Sequence, residues 1–143
     1  MKDNINALDE LNKGCNMGST AISYIYDKIE NKKLQKELEK QNKKYKEISK
    51  KINDMYPKYN KEDTPHKINK MEKMMTFWGI EMKTMTDDTD SKLVELLVKG
   101  TNMGIIEGRR ILNNKSLDKE VHKLAEEYTS LGEEAVEELK KYL

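Results

Sequence analysis

The sequence is short of several things at once, and each shortage closes off a class of protein. Its single cysteine, Cys15, rules out an intramolecular disulfide framework and suits a reducing compartment. Two prolines and seven glycines are too few for a loop-rich or fibrous chain. Arginine occurs only as Arg109 and Arg110, and a net charge of +1 leaves no overall field to steer the molecule to nucleic acid or to an anionic membrane. No apolar run reaches the roughly 18 residues that a membrane span needs. The opening stretch, MKDNINALDELNKG, has no continuous apolar run either, so a signal peptide is not expected and cytoplasm is the expected location. Nowhere does hydrophobicity alternate with period two over a strand's length, so no sheet is expected.

What is present is charge and helix. Charged residues make up 37% of the 143 and apolar ones 36%, the profile of an all-α chain with one domain's worth of core. Two stretches repeat. Lys13-Gly14-Cys15-Asn16-Met17-Gly18 recurs as Lys99-Gly100-Thr101-Asn102-Met103-Gly104, identical at five of six positions, and residues 34–45 (LQKELEKQNKKY) align with 117–128 (LDKEVHKLAEEY). A duplicated helix pair is the simplest reading.

Seams spaced three and four residues apart define five segments. The first, about 4–30, carries Leu8, Leu11, Cys15, Gly18, Ile22, Ile25 and Ile29; the second, about 34–56, carries Leu34, Leu38, Gln41, Tyr45, Ile48, Ile52 and Met55 and stops at Pro57. A polar loop leads to Thr64-Pro65, a cap and first-turn pair, and then to Ile68, Met71, Met75, Trp78, Met82 and Met85. The fourth segment, about 91–112, uses Val94, Leu97, Thr101, Gly104, Gly108 and Ile111, and the fifth, about 117–142, uses Leu117, Val121, Leu124, Tyr128, Leu131, Ala135 and Leu139. The predicted architecture is one domain, 1–143: hairpins over about 4–56 and 91–142 joined by a crossover helix within 57–90. The first and fourth segments are then antiparallel and related by a pseudo-dyad.

Gly14 and Gly18, and Gly100, Gly104 and Gly108, stand four apart within helices. Each interior glycine costs about 1 kcal/mol relative to alanine, so the spacing predicts a compensating close crossing of the first and fourth segments at these five residues. Counted with Lys32 and Lys33 just before it, the second segment has nine lysines against four acids, and the fifth has eight acids against four lysines, which favours placing them side by side.

Hairpin, crossover, hairpin resembles the ferritin-like bundles, and residues 96–112 (LLVKGTNMGIIEGRRIL) following a Trp-bearing helix resemble a small bacterial branch of them. The resemblance implies a ferritin-like antiparallel helical bundle. In metal-bearing members it implies a two-metal site built from glutamates and Glu-x-x-His pairs. Here Cys15, Asn16 and Met17, and Thr101, Asn102 and Met103, fill the places that the branch gives to acidic residues, and no Glu-x-x-His occurs. The family's metal residues therefore do not transfer, and no cofactor is expected.

Four residues remain as a candidate polar pocket: Asn16 and Asn102 beside the glycines, and the equivalent seam residues Tyr45 and Tyr128. The asparagines are read first as a register-fixing hydrogen-bonded pair and second as a holder of a small polar ligand. Cys15, on a seam with no histidine beside it, reads as a buried small hydrophobe. Most methionines sit on seams and read as core, whereas Met74, Phe77 and Trp78 form the candidate partner surface. The lysines of the second segment lack arginine or aromatic neighbours, so nucleic acid is not an expected partner. The expected function is non-enzymatic: a ferritin-like bundle acting by self-association or protein contact. The alternative is a ferritin-like metal or redox protein with an atypical ligand set.

Overall fold

The computed structural model describes residues 2–60 and 87–143. Four long helices account for most of them: α1 (Lys2–Tyr26), α2 (Lys32–Met55), α3 (Asp90–Asn114) and α4 (Lys119–Lys140). No strand occurs among the described residues. The seam expected between Ile68 and Met85, and with it the crossover helix and Met74, Phe77 and Trp78, lies outside the described residues. So do Thr64 and Pro65.

The predicted seams are the core. Leu8, Leu11, Cys15, Ile22, Ile25 and Ile29 from the first segment are all buried, as are Leu34, Leu38, Gln41, Tyr45, Ile48 and Ile52 from α2. Val94, Leu97, Ile111, Val121, Leu124, Tyr128, Leu131, Ala135 and Leu139 complete them. The predicted ends shift by a few residues. Helix α1 stops at Tyr26 rather than near residue 30, although Ile29 still tucks into the core from the turn. Helix α2 stops at Met55, and Pro57 lies in a short 3-10 turn, Tyr56–Lys58, because proline cannot donate to a continuing ladder. Tyr56 and Tyr59 fold back from that turn into the core.

Helix α1 packs on α2 and α3 on α4 as two hairpins, with α1 also against α3 and α2 against α4. Polar side chains run up the first hairpin: Ser49 Oγ donates to Asn12 Oδ1 at 2.9 Å, and Ser19 Oγ donates to Asn42 Oδ1 at 2.5 Å. The lysine-rich α2 does meet the acidic α4, through Lys51–Glu127 at 3.1 Å, and Lys58 of the turn meets Glu120 at 3.4 Å. These pairs are exposed, so they orient the two helices more than they stabilise them.

The hairpins hold each other by their ends. Asp90, first residue of α3, accepts from the backbone N–H groups of Glu30 (3.0 Å) and Asn31 (2.9 Å) in the turn of the first hairpin. Asp3 and Asn4, in the first turn of α1, accept from Ser116 and Asp118 N–H (both 2.9 Å) in the turn of the second. Asn4 and Asp90 each stand nine residues before the repeated lysine, Lys13 or Lys99, so the same position of both repeats makes the same clamp. These contacts make α1 antiparallel to α3. They also put residue 90 at one end of the bundle, while Tyr59, whose single hydroxyl hydrogen is shared between the carboxylates of Asp118 (3.0 Å) and Glu120 (2.8 Å), is at the other.

Asn4 is only 3% exposed, so removing its side chain leaves the Asp118 N–H without its acceptor. Asn4→Ala is expected to lower stability by about 1–3 kcal/mol in urea unfolding, and Asp90→Ala, at an exposed clamp, by about 1 kcal/mol. Equal and negligible losses at both would show that the turns hold without the clamps.

Candidate functional site

Four of the five motif glycines are met by side chains, and the fifth, Gly100, opens on a cleft. A β-carbon on Gly18 would lie 2.9 Å from the Tyr45 ring, and one on Gly104 would lie 2.6 Å from the Tyr128 hydroxyl. Equivalent glycines of the two repeats thus receive equivalent tyrosines, each from its own hairpin. Gly14 also receives Tyr128, across the hairpin boundary: a methyl there would overlap the hydroxyl. One phenol oxygen therefore sits between α1 and α3, with a side-chain-free position on either side. Gly108 makes room for Thr129, which is 1% exposed and donates to the Ala125 carbonyl at 2.7 Å.

Of the residues where a close crossing was predicted (Gly14, Gly18, Gly100, Gly104 and Gly108), Gly14, Gly18, Gly104 and Gly108 have tyrosine tips or a threonine as their nearest neighbours, and Gly100 has nothing within 4 Å. A phenol has a flat apolar body that buries well and a slim end that fits where only hydrogens line the helices.

Beyond the tyrosine tips the space between α1 and α3 opens into a cleft of about 480 Å³. Gly14, Met17, Gly18 and Ile22 line one wall, and Gly100, Thr101, Gly104 and Ile105 the other. Tyr45, Tyr128 and Gln41 reach it from behind, the two rings 6.4 Å apart between centroids and tilted by 56°. At the rim stand Glu10 with Lys13 (3.8 Å) and Glu107 with Arg110 (3.3 Å), each carboxylate paired on its own helix. Glu10, Glu107 and Arg110 also border a second, more polar recess of about 520 Å³ that runs toward Asp3 and Asn114. Arg109 points elsewhere, pairing with Glu133 at 2.6 Å.

Asn16 and Asn102 do not join this site. Asn102 is exposed and Asn16 half-buried, neither lines the cleft, and neither side chain hydrogen-bonds to a described residue. The cause is helical geometry. Each asparagine lies two residues from both flanking glycines, and positions two apart point to different sides of a helix. With Gly14, Gly18, Gly100 and Gly104 turned inward, Asn16 and Asn102 must turn away. The expected facing pair is replaced by the tyrosine pair.

Burial sets the protonation of the groups behind the cleft. It pushes the Cys15 thiol up to about 12, so a thiolate nucleophile is absent at neutral pH. Burial raises the Tyr128 phenol well above its ordinary value, with Tyr45 and Cys15 adding to the shift. Burial likewise raises Tyr45, while the Thr101 hydroxyl, its hydrogen-bond partner, pulls a little the other way. Both phenols are neutral O–H donors. His122 lies far from them on α4, paired with Glu126 at 2.9 Å.

The side chains at the central positions do not fit a two-metal carboxylate site. No carboxylate reaches the back of the cleft, Glu10 and Glu107 stand at its rim with cations beside them, and no three His, Cys, Asp or Glu side chains converge among the described residues. No helix among the described residues is long and apolar enough to cross a membrane. No protein-family model matches the chain, and no curated protein or solved structure matches it significantly.

The Gly104 contact can be tested through its one close atom. Gly104→Ala is expected to destabilise by about 1–3 kcal/mol despite the better helix former, because the methyl overlaps the phenol oxygen. In a Tyr128→Phe background, where the next ring atom is 3.5 Å away, the same change is expected to stabilise by a few tenths to about 1 kcal/mol. Additive effects in urea unfolding would remove Tyr128 from this contact.

Proposed function

We propose that this protein is a ferritin-like bundle that works by binding rather than by catalysis. Three features support the ferritin-like part. Both hairpins seat a tyrosine on the equivalent glycine. Both use the same repeat position to clamp the other hairpin's turn. The chain leaves α2 at one end of the bundle and enters α3 at the other, which is what a crossover requires.

One observation carries the binding part: among the described residues, the space between α1 and α3 is a cleft lined by both helices. A cleft of this size, mainly apolar with a few convergent polar groups, has the character of a ligand or partner site. Its chemistry favours contact over turnover. Its phenols are neutral, the protonated thiol of Cys15 is buried outside its lining, and no nucleophile and base stand side by side among the described residues. The rim adds an apolar edge, Met103 and Ile106 on α3, each 50% exposed and three residues apart on one helix face. A protein surface, in the first instance a second copy of this chain, docks along that edge. The buried single cysteine and the absence of a long apolar helix among the described residues are compatible with a cytoplasmic setting.

Light scattering over a concentration series tests this reading. A concentration-dependent dimer is expected, weakened about tenfold or more by Met103→Lys. A monomer throughout, unaffected by that change, would remove self-association. One or two iron, manganese or copper atoms per chain in protein from metal-supplemented medium would restore the metal-binding alternative.

A further inference from the structure

The back of the cleft holds a hydroxyl that packs between two helices but makes no hydrogen bond to a described residue. Tyr128, which carries it, is 7% exposed and lines the cleft. Its equivalent Tyr45 has the Thr101 hydroxyl. The Tyr128 hydroxyl faces a cavity large enough for a small molecule, and whatever displaces water from it there has to supply an acceptor in its place. We infer that the cleft binds an uncharged, largely apolar molecule carrying an oxygen that accepts the Tyr128 hydrogen bond. This rests on the reading that the protein binds through this cleft, and it assigns the chemistry of what is bound.

The Tyr128 tip fills the gap where Gly14 faces Gly104, and the Tyr45 ring covers Gly18, so a ligand lies in the open part of the cleft beside them, with Gly100 bare on its wall. Apolar character follows from Met17, Ala21, Ile22, Leu97 and Ile105 in the lining. Neutrality follows from the charges. No ionised side chain reaches the back of the cleft, and each rim carboxylate is matched by a cation on its own helix, so a charged ligand would lose its hydration without gaining a partner. The requirement for an accepting oxygen follows from Tyr128, which is protonated and can only offer its hydrogen once the donor is to be satisfied.

Three probes on one ring system separate these terms: 2-acetylnaphthalene, which has the accepting oxygen, 2-ethylnaphthalene, which lacks it, and 2-naphthoate, which is charged. Binding is followed on the full chain by amide resonances of Gly14, Gly18, Gly100 and Gly104. The ketone is expected to shift these glycines and to bind about tenfold more tightly than the hydrocarbon. Tyr128→Phe, which keeps the ring, is expected to abolish that difference while leaving hydrocarbon binding unchanged. Equal binding of ketone and hydrocarbon to the unaltered protein would overturn the role of Tyr128 without recourse to any variant. Tighter binding of 2-naphthoate would overturn the assigned chemistry but leave the cleft as a binding site. If no probe moves the glycine resonances, the small-molecule site itself is refuted, and a dimer seen by light scattering would still support binding as the function.

Discussion

A single oxygen atom, the hydroxyl of Tyr128, lies between the glycine faces of α1 and α3, and the arrangement of the bundle depends on it. It comes from the second hairpin, seats on that hairpin's own Gly104, and reaches Gly14 of the first. A methyl on either glycine would crowd it, so the two hairpins come together only because both helices are bare at that level. Interior glycine is unfavourable in a helix by about 1 kcal/mol, and burying a tyrosine ring between the helices offsets that penalty by removing a large apolar surface from water. The same bareness that admits the phenol leaves the neighbouring space unfilled. Packing and cleft are consequences of one choice of residue.

The ends of the bundle are fixed by a different interaction. Carboxylate and amide oxygens at Asp3, Asn4 and Asp90 take up backbone N–H groups of the opposite hairpin's turn. A helix start leaves several N–H groups without intrahelical partners, and Asn4 meets one of them at the start of α4. Because Asn4 and Asp90 occupy equivalent places in the repeat, each hairpin both gives and receives a clamp. Tyrosine tips set the middle of the bundle, and polar clamps set its length and direction.

Much of this was legible in the chain. The seams mark most core residues of the described helices, since an apolar stripe spaced three and four apart can be buried only on one face, while Ala7, Ala21, Leu93, Leu96, Ala125 and Val136 are buried beside them. The repeated KG–NMG stretch locates the centre, and the alignment of Tyr45 with Tyr128 identifies the pair behind the cleft. Two things were not legible. The clamps were hidden because short polar residues in a first helical turn read as ordinary capping, with nothing local to say that the N–H groups belong to another hairpin. The glycine contacts were hidden because spacing shows that a face is bare without showing what fills it. Asn16 and Asn102 were legible but read by motif instead of by face, since two residues from an inward glycine is the outward side of a helix.

The account reduces to one contact, and a nuclear Overhauser measurement on the tyrosine ring reads it directly. One edge of Tyr128 is predicted to show cross-peaks to the Gly14 α-protons and the other edge to the Gly104 α-protons, both within a single folded chain. Cross-peaks between the α-protons of Gly14 and Gly104 themselves, with Tyr128 silent toward Gly14, would mean that the helices meet backbone to backbone, and the tyrosine would not be what joins them.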